Sequence, residues 1–271
     1  MLQTQPKTTP TTPTMDQQVE HLVNKTWGKP SYSETARSHT LTTTTWTAKL
    51  CSTADDARLM IAISGIPGSG KTGLATTMAH RINQIYASEN PTSPTPIATA
   101  LPMDGYHLTR AQLAQMPDPI FAAARRGAAF TFDGEKFLSL VRALRTPITP
   151  ETGSVYAPSF DHAIKDPVDG DIAIPVECRV LFFEGNYLSL DKEPWRTAAG
   201  LMDELWFVDV DFEVARKRLV LRHVLAGIAK DEAEADKRAL ENDLVNGREI
   251  VDFRLPVQEV VLSIFDSGWE K

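Results

Sequence analysis

The sequence predicts an α/β fold built on a parallel sheet. Three observations support this prediction: short apolar strands alternate with amphipathic helices, a glycine-rich loop joins the first of these strands to its helix, and single acidic residues follow the next two strands. Strands that alternate with helices form βαβ units, in which successive strands lie parallel. A parallel sheet also gathers its functional groups at the carboxyl ends of the strands.

The strands and helices are predicted from the spacing of apolar residues. Short runs rich in β-branched residues indicate buried strands, and apolar residues three and four positions apart indicate helices. The predicted strands are 59–64, 97–103, 180–183 and 204–210. The predicted helices are 71–86, 133–144, 212–228 and 231–245.

The N-terminal region is organised differently from the rest of the chain. Residues 1–14 are low-complexity Thr and Pro, which predicts a disordered tail. Residues 15–57 form an N-terminal helix, at 15–27, and an extension. Within the extension, the Thr-rich residues 40–47 fit either a strand or a loose insert. Residues 58–271 then form the main domain.

The composition is that of an ordinary soluble globular protein. Hydrophobic residues make up 42% of the 271 residues and charged residues 23%, and the net charge is −7. This charge argues against a general nucleic-acid binder, which normally carries a basic face. The two cysteines, Cys51 and Cys178, do not form a disulfide framework, and no apolar run approaches the roughly 20 residues of a membrane helix.

We therefore expect a cytoplasmic protein without nucleic-acid or membrane partners. A mitochondrial presequence in the Thr-rich N-terminus is an alternative with little support, since that segment carries one Lys and no Arg before Asp16. A homodimer is a further expectation.

A phosphate-binding loop follows the first main-domain strand. Residues 65–72 read GIPGSGKT and match the G-x-x-x-x-G-K-[ST] pattern in full. The glycines let backbone N–H groups surround phosphate oxygens, and the following helix directs its positive end at the anion. Lys71 is expected to reach the β- and γ-phosphates, and the Thr72 hydroxyl to coordinate Mg²⁺. The predicted nucleotide-binding residues are Gly65, Ile66, Pro67, Gly68, Ser69, Gly70, Lys71 and Thr72.

Two acidic residues follow the next strands along the chain. Asp104 comes after the strand at 97–103, and Glu184 comes after the strand at 180–183. Phosphoryl transfer needs a carboxylate near the acceptor hydroxyl and acidic support for Mg²⁺. Asp104 suits the first task and Glu184 the second. Because no N-K-x-D guanine-reading tetrapeptide is present, ATP is preferred over GTP as the nucleotide.

An ordered set of motifs resembles one kinase family. The motifs are GIPGSGKT (65–72), PMDGYHL (102–108), RRGAAFTFD (125–133), YAPSFDHAIKDP (156–167), FFEGNYL (182–188), WFVDVD (206–211) and ARKRLVLRH (215–223). The chain from residue 58 to residue 269 resembles the phosphoribulokinase/uridine kinase family of P-loop small-molecule kinases, which includes bacterial pantothenate kinase. It looks closest to a nucleoside/nucleotide-kinase-like branch.

The resemblance implies both a fold and an activity. It implies a three-layer αβα P-loop NTPase fold with a five-stranded parallel sheet of order 2-3-1-4-5 and a helical lid. It also implies ATP-dependent phosphorylation of a hydroxyl on a small molecule. Asp104 matches the catalytic acid of the family, and Arg218 and Arg222 match the basic lid helix. Lys71 and Arg222 join Asp104 as expected catalytic residues.

The lid also has a physical argument of its own. Arg218 and Arg222 are four residues apart, so they share one face of a helix. Arginine can contact phosphate oxygens through two parallel hydrogen bonds and stabilise charge on the transferred group. A solvated basic face explains the same pattern, and both interpretations stay open.

A long insert, residues 105–179, is expected to build the acceptor pocket, because related kinases build theirs from this region. Asp104-Gly105 looks more like pantothenate kinase than like uridine kinases, which carry an Asp-Ser-Phe-Tyr type motif here. Phe130 and Phe132 also fit packing roles. The predicted acceptor residues are Asp104, Tyr106, His107, Arg125, Phe132, Tyr156, His162, Glu184 and Asn186.

Two alternatives to a kinase of neutral small molecules stay open. One is a regulatory protein that binds and slowly hydrolyses ATP without a small acceptor. The other is a kinase of a phosphorylated substrate, which would need a second basic site near Arg125 and Arg126. Residues 242–247 (NDLVNG) fit either a helix end or, by resemblance, a segment near the adenine.

Overall fold

The computed structural model describes residues 12–28, 49–93 and 95–264. The predicted tail at 1–14 falls outside this range except for its last three residues, and the Thr-rich stretch at 40–47 falls entirely outside it. None of the helices in the described ranges is both long and apolar enough to cross a membrane.

Seven strands lie within the described residues. They are β1 (Leu59–Gly65), β2 (Ala98–Pro102), β3 (Val155–Asp161), β4 (Asp166–Ile174), β5 (Val180–Gly185), β6 (Glu204–Asp209) and β7 (Glu259–Leu262). Five of them form one sheet in the order β2-β5-β1-β6-β7, and every neighbouring pair is parallel. Counted along the chain within this sheet, the order is 2-3-1-4-5, which confirms the predicted topology.

The helices of the described residues connect and cover these strands. They are α1 (Met15–Trp27), α2 (Lys49–Ser52), α3 (Lys71–Glu89), α4 (Arg110–Leu113), α5 (Pro119–Ala124), α6 (Gly134–Arg145), α7 (Trp195–Ala199), α8 (Phe212–Leu225), α9 (Glu232–Arg238) and α10 (Leu244–Asp252). A 3₁₀ turn, Met103–Tyr106, follows β2, and a π-helical turn, Ala239–Asp243, joins α9 to α10.

Two hydrophobic cores occupy the two faces of the sheet. Every residue of β1 and β5 is buried, so alternate side chains serve opposite faces. Met60 belongs to the core shared with α6 and α7, and Ile61 to the core shared with α1 and α3. These two cores give the predicted three-layer αβα arrangement.

Helix α1 packs on the same sheet as the main domain. Thr14 caps its first turn in a reciprocal pair with Gln17, and Val19, Leu22 and Val23 are buried beside residues of β1 and α3. The prediction of a helix at 15–27 is confirmed. The division of the chain at residue 58 stays a prediction, although α1 shares its core with residues beyond that point.

Both edges of the parallel sheet are bonded by a side-chain amide. At the β7 edge, Gln18 donates to the Leu262 carbonyl at 3.0 Å and accepts from the Leu262 N–H at 2.7 Å. At the β2 edge, Asn83 donates to the Ala98 carbonyl at 2.8 Å and accepts from the Ala98 N–H at 2.9 Å. Each amide therefore makes the two hydrogen bonds that a further strand would make.

Two features of the insert and the C-terminal region differ from expectation. Strands β3 and β4 form an antiparallel hairpin inside the insert, where the sequence analysis assigned no strands. The predicted helix at 231–245 is instead α9, a π-helical turn and α10, which continues to Asp252. A helix end at Asn246-Gly247 is therefore wrong. Gly247 packs against Ile66 and Phe212, where a Cβ would already lie about 3.3 Å from Ile66.

Candidate active site

The phosphate-binding loop connects β1 to α3, as the motif predicts. A Cβ on Gly65 would lie 2.6 Å from the Ser69 hydroxyl and 2.8 Å from the Val208 carbonyl. Gly68 and Gly70 have φ angles of +81° and +92°, in the left-handed region that favours glycine. The three glycines of the motif are therefore required by the backbone itself. Helix α3 begins at Lys71 without a side-chain cap on its first N–H groups, the arrangement that binds phosphate oxygens.

The two predicted Mg²⁺ ligands are in contact. The Thr72 hydroxyl donates to Glu184 Oε2 at 3.0 Å. Glu184 is 6% exposed and lies beside Ile63 of β1 and Pro102 of β2 in the strand register. Burial raises the pKa of Glu184, Asp104 raises it further, and Lys71, Thr72 and Arg222 oppose the shift. A hydroxyl and a carboxylate at this spacing suit Mg²⁺, which prefers oxygen ligands and keeps several waters.

A metal site made from protein groups alone is not found among the described residues, where no group of three or more His, Cys, Asp or Glu side chains could hold an ion. This composition fits Mg²⁺ that is shared with nucleotide phosphates, because such sites typically use only one or two protein ligands. Thr72 and Glu184 are the residues that would hold it.

Charged groups from four parts of the chain converge on Lys71. Burial lowers the pKa of Lys71, while Glu184, Asp104 and Asp243 act to raise it and Arg222 acts to lower it. The loop lysine, the acids after β2 and β5 and the arginine of α8 are thus within electrostatic reach of one another. Asp104, Glu184 and Arg222 were expected here from the sequence, and Asp243 was not.

Asp104 lies in the 3₁₀ turn that follows β2. The neighbouring Gly105 lets the hairpin approach this turn closely, since a Cβ on Gly105 would lie 2.2 Å from the Pro158 carbonyl oxygen. The Asp104 carbonyl is 2.8 Å from His107 Nδ1. Burial lowers the pKa of His107, and Asp104 opposes that effect. The turn thus holds a carboxylate and an imidazole side by side.

The lid residues Arg218 and Arg222 both lie on α8, as predicted. Arg218 donates to Ser263 at 2.8 Å and approaches the Gly68 carbonyl of the phosphate loop at 3.4 Å. Arg222 is exposed and close enough to Lys71 and Glu184 to affect the pKa of each. The helix therefore brings one arginine to the loop backbone and the other to the charged groups of the site.

The predicted acceptor residues separate into two groups, and His107 and Phe132 belong to the group beside Asp104. Their rings are 4.0 Å apart, and the His107 ring is 5.0 Å from Phe160. Tyr106 is 2% exposed and packs edge-on against Phe137 at 5.2 Å, and its hydroxyl has no hydrogen-bond partner in the part of the chain described. These aromatic residues form the core side of the insert.

Of the remaining predicted acceptor residues, Arg125 bonds to protein groups, Tyr156 and His162 are exposed, and Asn186 is partly buried. Arg125 donates to the Glu241 carbonyl at 3.0 Å and to Asn246 Oδ1 at 2.6 Å. Tyr156 is 60% exposed on β3, and His162 is exposed at the hairpin end. Asn186 has a buried amide oxygen without a partner among the described residues.

Arg126 is also bonded to the protein. It donates to the Lys165 and Leu108 carbonyls, at 2.7 Å and 3.0 Å, and to Asp166 at 3.0 Å. The two arginines proposed as a second phosphate site are therefore both bonded within the insert and the π-helical turn. This geometry gives no support to a phosphorylated substrate bound at Arg125 and Arg126.

A cavity of about 360 Å³ borders the aromatic side of the insert. Phe132 lines it and also contacts His107, which is bonded to Asp104. Its walls mix aromatic and charged groups and do not include Asp104. They are formed by Ala129, Phe130, Phe132, Gly134, Leu190, Lys192, Glu193, Pro194, Trp195 and Glu249.

Comparison with known proteins identifies relatives of this chain. No protein-family profile matches the chain. The ATP-dependent kinase-like protein notR' of Aspergillus versicolor is 61% identical over 159 residues, which is 59% of this chain and 92% of that protein. A Schizosaccharomyces pombe protein provisionally named uridine kinase C227.14 is 42% identical over 189 residues, 70% of this chain and 76% of that protein.

The chain belongs to the phosphoribulokinase/uridine kinase family of P-loop kinases. A solved structure from Silicibacter sp. TM1040, whose name refers to a fructose transport system kinase, is 34% identical. The structural match covers 75% of this chain and 89% of the Silicibacter chain, with a TM-score of 0.63. The fold and family implied by the motifs are thus confirmed, and this kinase is a phosphotransferase.

Sequence reasoning singled out residues 242–247 but did not predict the contacts that Asp243 makes. Asp243, at the end of the π-helical turn, acts on Lys71 and bonds to the buried His223 at 2.8 Å. Asn242 donates to the Arg126 carbonyl at 3.0 Å, and Asn246 accepts from Arg125. Residues 242–246 therefore face Lys71 and the insert. Their placement near the adenine stays a prediction.

Proposed function

We propose that this kinase transfers the γ-phosphate of ATP, with Mg²⁺, to a hydroxyl of a small molecule. The observation that supports the proposal is the convergence of Lys71, Thr72, Glu184 and Asp104 at the carboxyl ends of β1, β5 and β2. One end of the sheet thus presents a donor-phosphate cradle and the Asp104 carboxylate together. Such a pair is what phosphoryl transfer to an alcohol requires.

The chemistry assigns each residue one task. The loop N–H groups and Lys71 hold the β- and γ-phosphates, and Asp104 takes the proton of the acceptor hydroxyl. The acceptor oxygen forms a bond to the γ-phosphorus as the bond to the bridging oxygen breaks, and ADP leaves. Arg222 stabilises charge on the transferred group. Thr72 and Glu184 would hold Mg²⁺, which would neutralise charge at the phosphates.

We propose neutral hydroxyl compounds as the acceptor class. Arg125 is bonded to a carbonyl and an amide oxygen, and Arg126 to the Asp166 carboxylate, so both guanidiniums already have partners within the protein. The names of two relatives refer to a uridine kinase and to a fructose transport system kinase. Nucleosides and sugars, which are neutral, are therefore the first acceptors to test. Vitamin ribosides follow, and pantothenate, which carries a carboxylate, is the anionic comparison.

A screen for acceptor-stimulated ADP release tests the proposal. The protein is incubated with Mg²⁺ and ATP, and each acceptor class is added in turn. An acceptor that raises ADP release and becomes phosphorylated supports the kinase. Basal ATP hydrolysis that no acceptor raises would favour the alternative of a regulatory ATP-hydrolysing protein.

Asp104→Asn tests the assigned base. We expect turnover with the identified acceptor to fall by about 10²- to 10⁴-fold, the usual contribution of a general base, with ATP binding retained. Asp118→Asn is the matched control, since Asp118 caps α5 in the same insert through the Phe121 N–H and Asn caps a helix equally well. Asp104→Asn turnover equal to that of the control would show that Asp104 is not the base.

A further inference from the structure

The π-helical turn Ala239–Asp243 connects three parts of the site. Asp243 Oδ2 lies 2.8 Å from His223 Nε2, and the two side chains are 13% and 4% exposed. His223 belongs to α8, one residue after Arg222. Asp243 is also within electrostatic reach of Lys71 in the phosphate loop. One carboxylate thus bonds to α8 and acts electrostatically on the lysine of the loop.

The insert holds this turn in place. The Glu241 carbonyl accepts from Arg125 at 3.0 Å, and Asn242 donates to the Arg126 carbonyl at 3.0 Å. Asn242 is 4% exposed, so this contact lies in the protein interior. The backbone that carries Asp243 is therefore held by two hydrogen bonds to the insert. π-Helical turns inside helices are frequently found at functional sites.

His223 can transmit this fixed position to Arg222. The His223 side chain is buried and has its Nε2 bonded to Asp243, while the adjacent Arg222 is exposed and acts on Lys71 and Glu184. Adjacent residues on a helix point to different sides. Holding the His223 ring therefore fixes the backbone that carries Arg222.

We propose that Asp243 and His223 are positioning residues, which hold α8 so that Arg222 lies over the phosphate loop during transfer. This inference rests on the proposed function, because it assigns Arg222 its role at the transferred phosphate. It predicts that the link contributes to the transition state and contributes little to the binding of ATP. Such an interaction affects kcat and leaves KM nearly unchanged.

A second link between α8 and α9 provides a matched control. Arg216 of α8 bonds Asp236 of α9 through two contacts, at 2.6 Å and 2.8 Å. Both side chains are about one-third exposed. Asp236→Asn thus weakens the same pair of helices at their surface, away from the site.

The test compares Asp243→Asn with Asp236→Asn. The rate of Mg²⁺-dependent ADP release, the KM for ATP, the affinity for a fluorescent ATP analogue and the thermal midpoint are measured for each. We expect Asp243→Asn to lower kcat about tenfold, with KM changed by less than about twofold. We expect Asp236→Asn to keep the wild-type kcat. Equal kcat values in the two variants, or a change in KM alone, would overturn the proposal.

Variants of His223 and Arg222 distinguish a role in positioning Arg222 from a role in fold stability alone. His223→Gln keeps an N–H donor near the Nε2 position and should retain most of the activity, whereas His223→Leu should lose as much as Asp243→Asn. Combining Arg222→Gln with Asp243→Asn should lower kcat by less than the product of the single effects, because both act on the same step. If the kcat of the double variant falls by the full product of the two single effects, Asp243 does not act through Arg222.

The wild-type measurements separate the two proposals. Absence of ATP binding by the wild-type protein would refute the proposed function and with it this inference. Wild-type turnover that is insensitive to Asp243→Asn would refute only the inference.

Discussion

At the scale of single residues, Gly105 sets how closely the hairpin approaches the acid-bearing turn. The sequence shows Asp-Gly where uridine kinases carry Asp-Ser, and the structure supplies a reason in this chain. Any Cβ at position 105 would lie 2.2 Å from the Pro158 carbonyl oxygen and 2.6 Å from its carbon. These neighbours are backbone atoms, so the strand itself would have to move.

We expect Gly105→Ala to destabilise the protein by about 1 to 3 kcal/mol, the usual cost of overpacking a tight contact. Phosphoryl transfer should fall as well, because the displaced turn carries Asp104. Urea unfolding and acceptor-dependent ADP release measure the two effects. Gly153→Ala is the control, since a Cβ there meets no atom within 4 Å. A Gly105→Ala variant as stable as this control would show that the hairpin is not held against the turn.

The residues around the phosphate loop could be predicted from the sequence because each belongs to a local pattern. Lys71 and Thr72 close a contiguous motif, and Asp104 and Glu184 each follow an apolar strand. His223 and Asp243 have no such pattern: they are 20 residues apart and meet only after α8, α9 and the π-helical turn have packed. A sequence alone gives no spacing rule for a contact of that kind.

At the scale of elements, the N-terminal helix is tied to the sheet by a buried ionic cluster. Glu204, at the start of β6, is 2% exposed and lies 2.6 Å from Lys25 of α1 and 2.9 Å from Lys49 of α2. It also accepts from Trp206 Nε1 at 2.8 Å. Burial acts to raise the pKa of Glu204, but the hydrogen bonds from Lys25, Trp206 and Lys49 outweigh it and lower the pKa below its usual value.

A depressed carboxylate pKa gives this cluster a defined pH dependence. Glu204 contributes stability above the pKa it has in the unfolded chain, about 4.3, and that contribution is lost as the pH falls through the lower pKa of the folded state. We expect Glu204→Gln to lower the free energy of unfolding by about 2 kcal/mol at pH 7, and by progressively less below about pH 4.

Urea unfolding at several pH values measures the effect. Glu213→Gln is the control: Glu213 is 66% exposed and pairs with Arg216 at 3.4 Å, so its removal should change stability by less than about 0.5 kcal/mol. A difference between wild type and Glu204→Gln that stays constant down to pH 3 would contradict the assignment.

Elements with clear periodicity were predicted, and elements without it were not. Helix α1 matches its predicted range, and the predicted strands of the parallel sheet agree with the structure to within two residues at each end. The hairpin was missed because β4 (DPVDGDIAI) is rich in Asp, and Gly170 interrupts the apolar face formed by Val168, Ile172 and Ile174, which leaves only a weak strand signal. Its stability comes from pairing with β3 and from contact with the Asp104 turn.

At the scale of the whole molecule, the two cysteines differ in their exposure to solvent. Cys51 is exposed, whereas Cys178 is 2% exposed within the main core, and burial raises the pKa of the Cys178 thiol to about 12. The thiolate is the reactive form, so Cys178 should react only when the core opens.

We expect one thiol per chain to react rapidly with a disulfide reagent at pH 8 in the native protein, and the second to react only in urea that unfolds the domain. Cys51→Ser should abolish the rapid phase and leave the slow one unchanged. Rapid reaction of two thiols in native wild-type protein would show that the core around Cys178 is open.

The side-chain amides of Gln18 and Asn83 have a consequence for self-association. An edge strand with unpaired N–H and C=O groups is a template on which another chain can add a strand, a route to aggregation. In this kinase the outward groups of Leu262 and of Ala98, on the two opposite edges, are already bonded. A side-chain amide thus occupies the backbone groups at each edge of the sheet. The addition of a strand from another molecule is disfavoured at both edges.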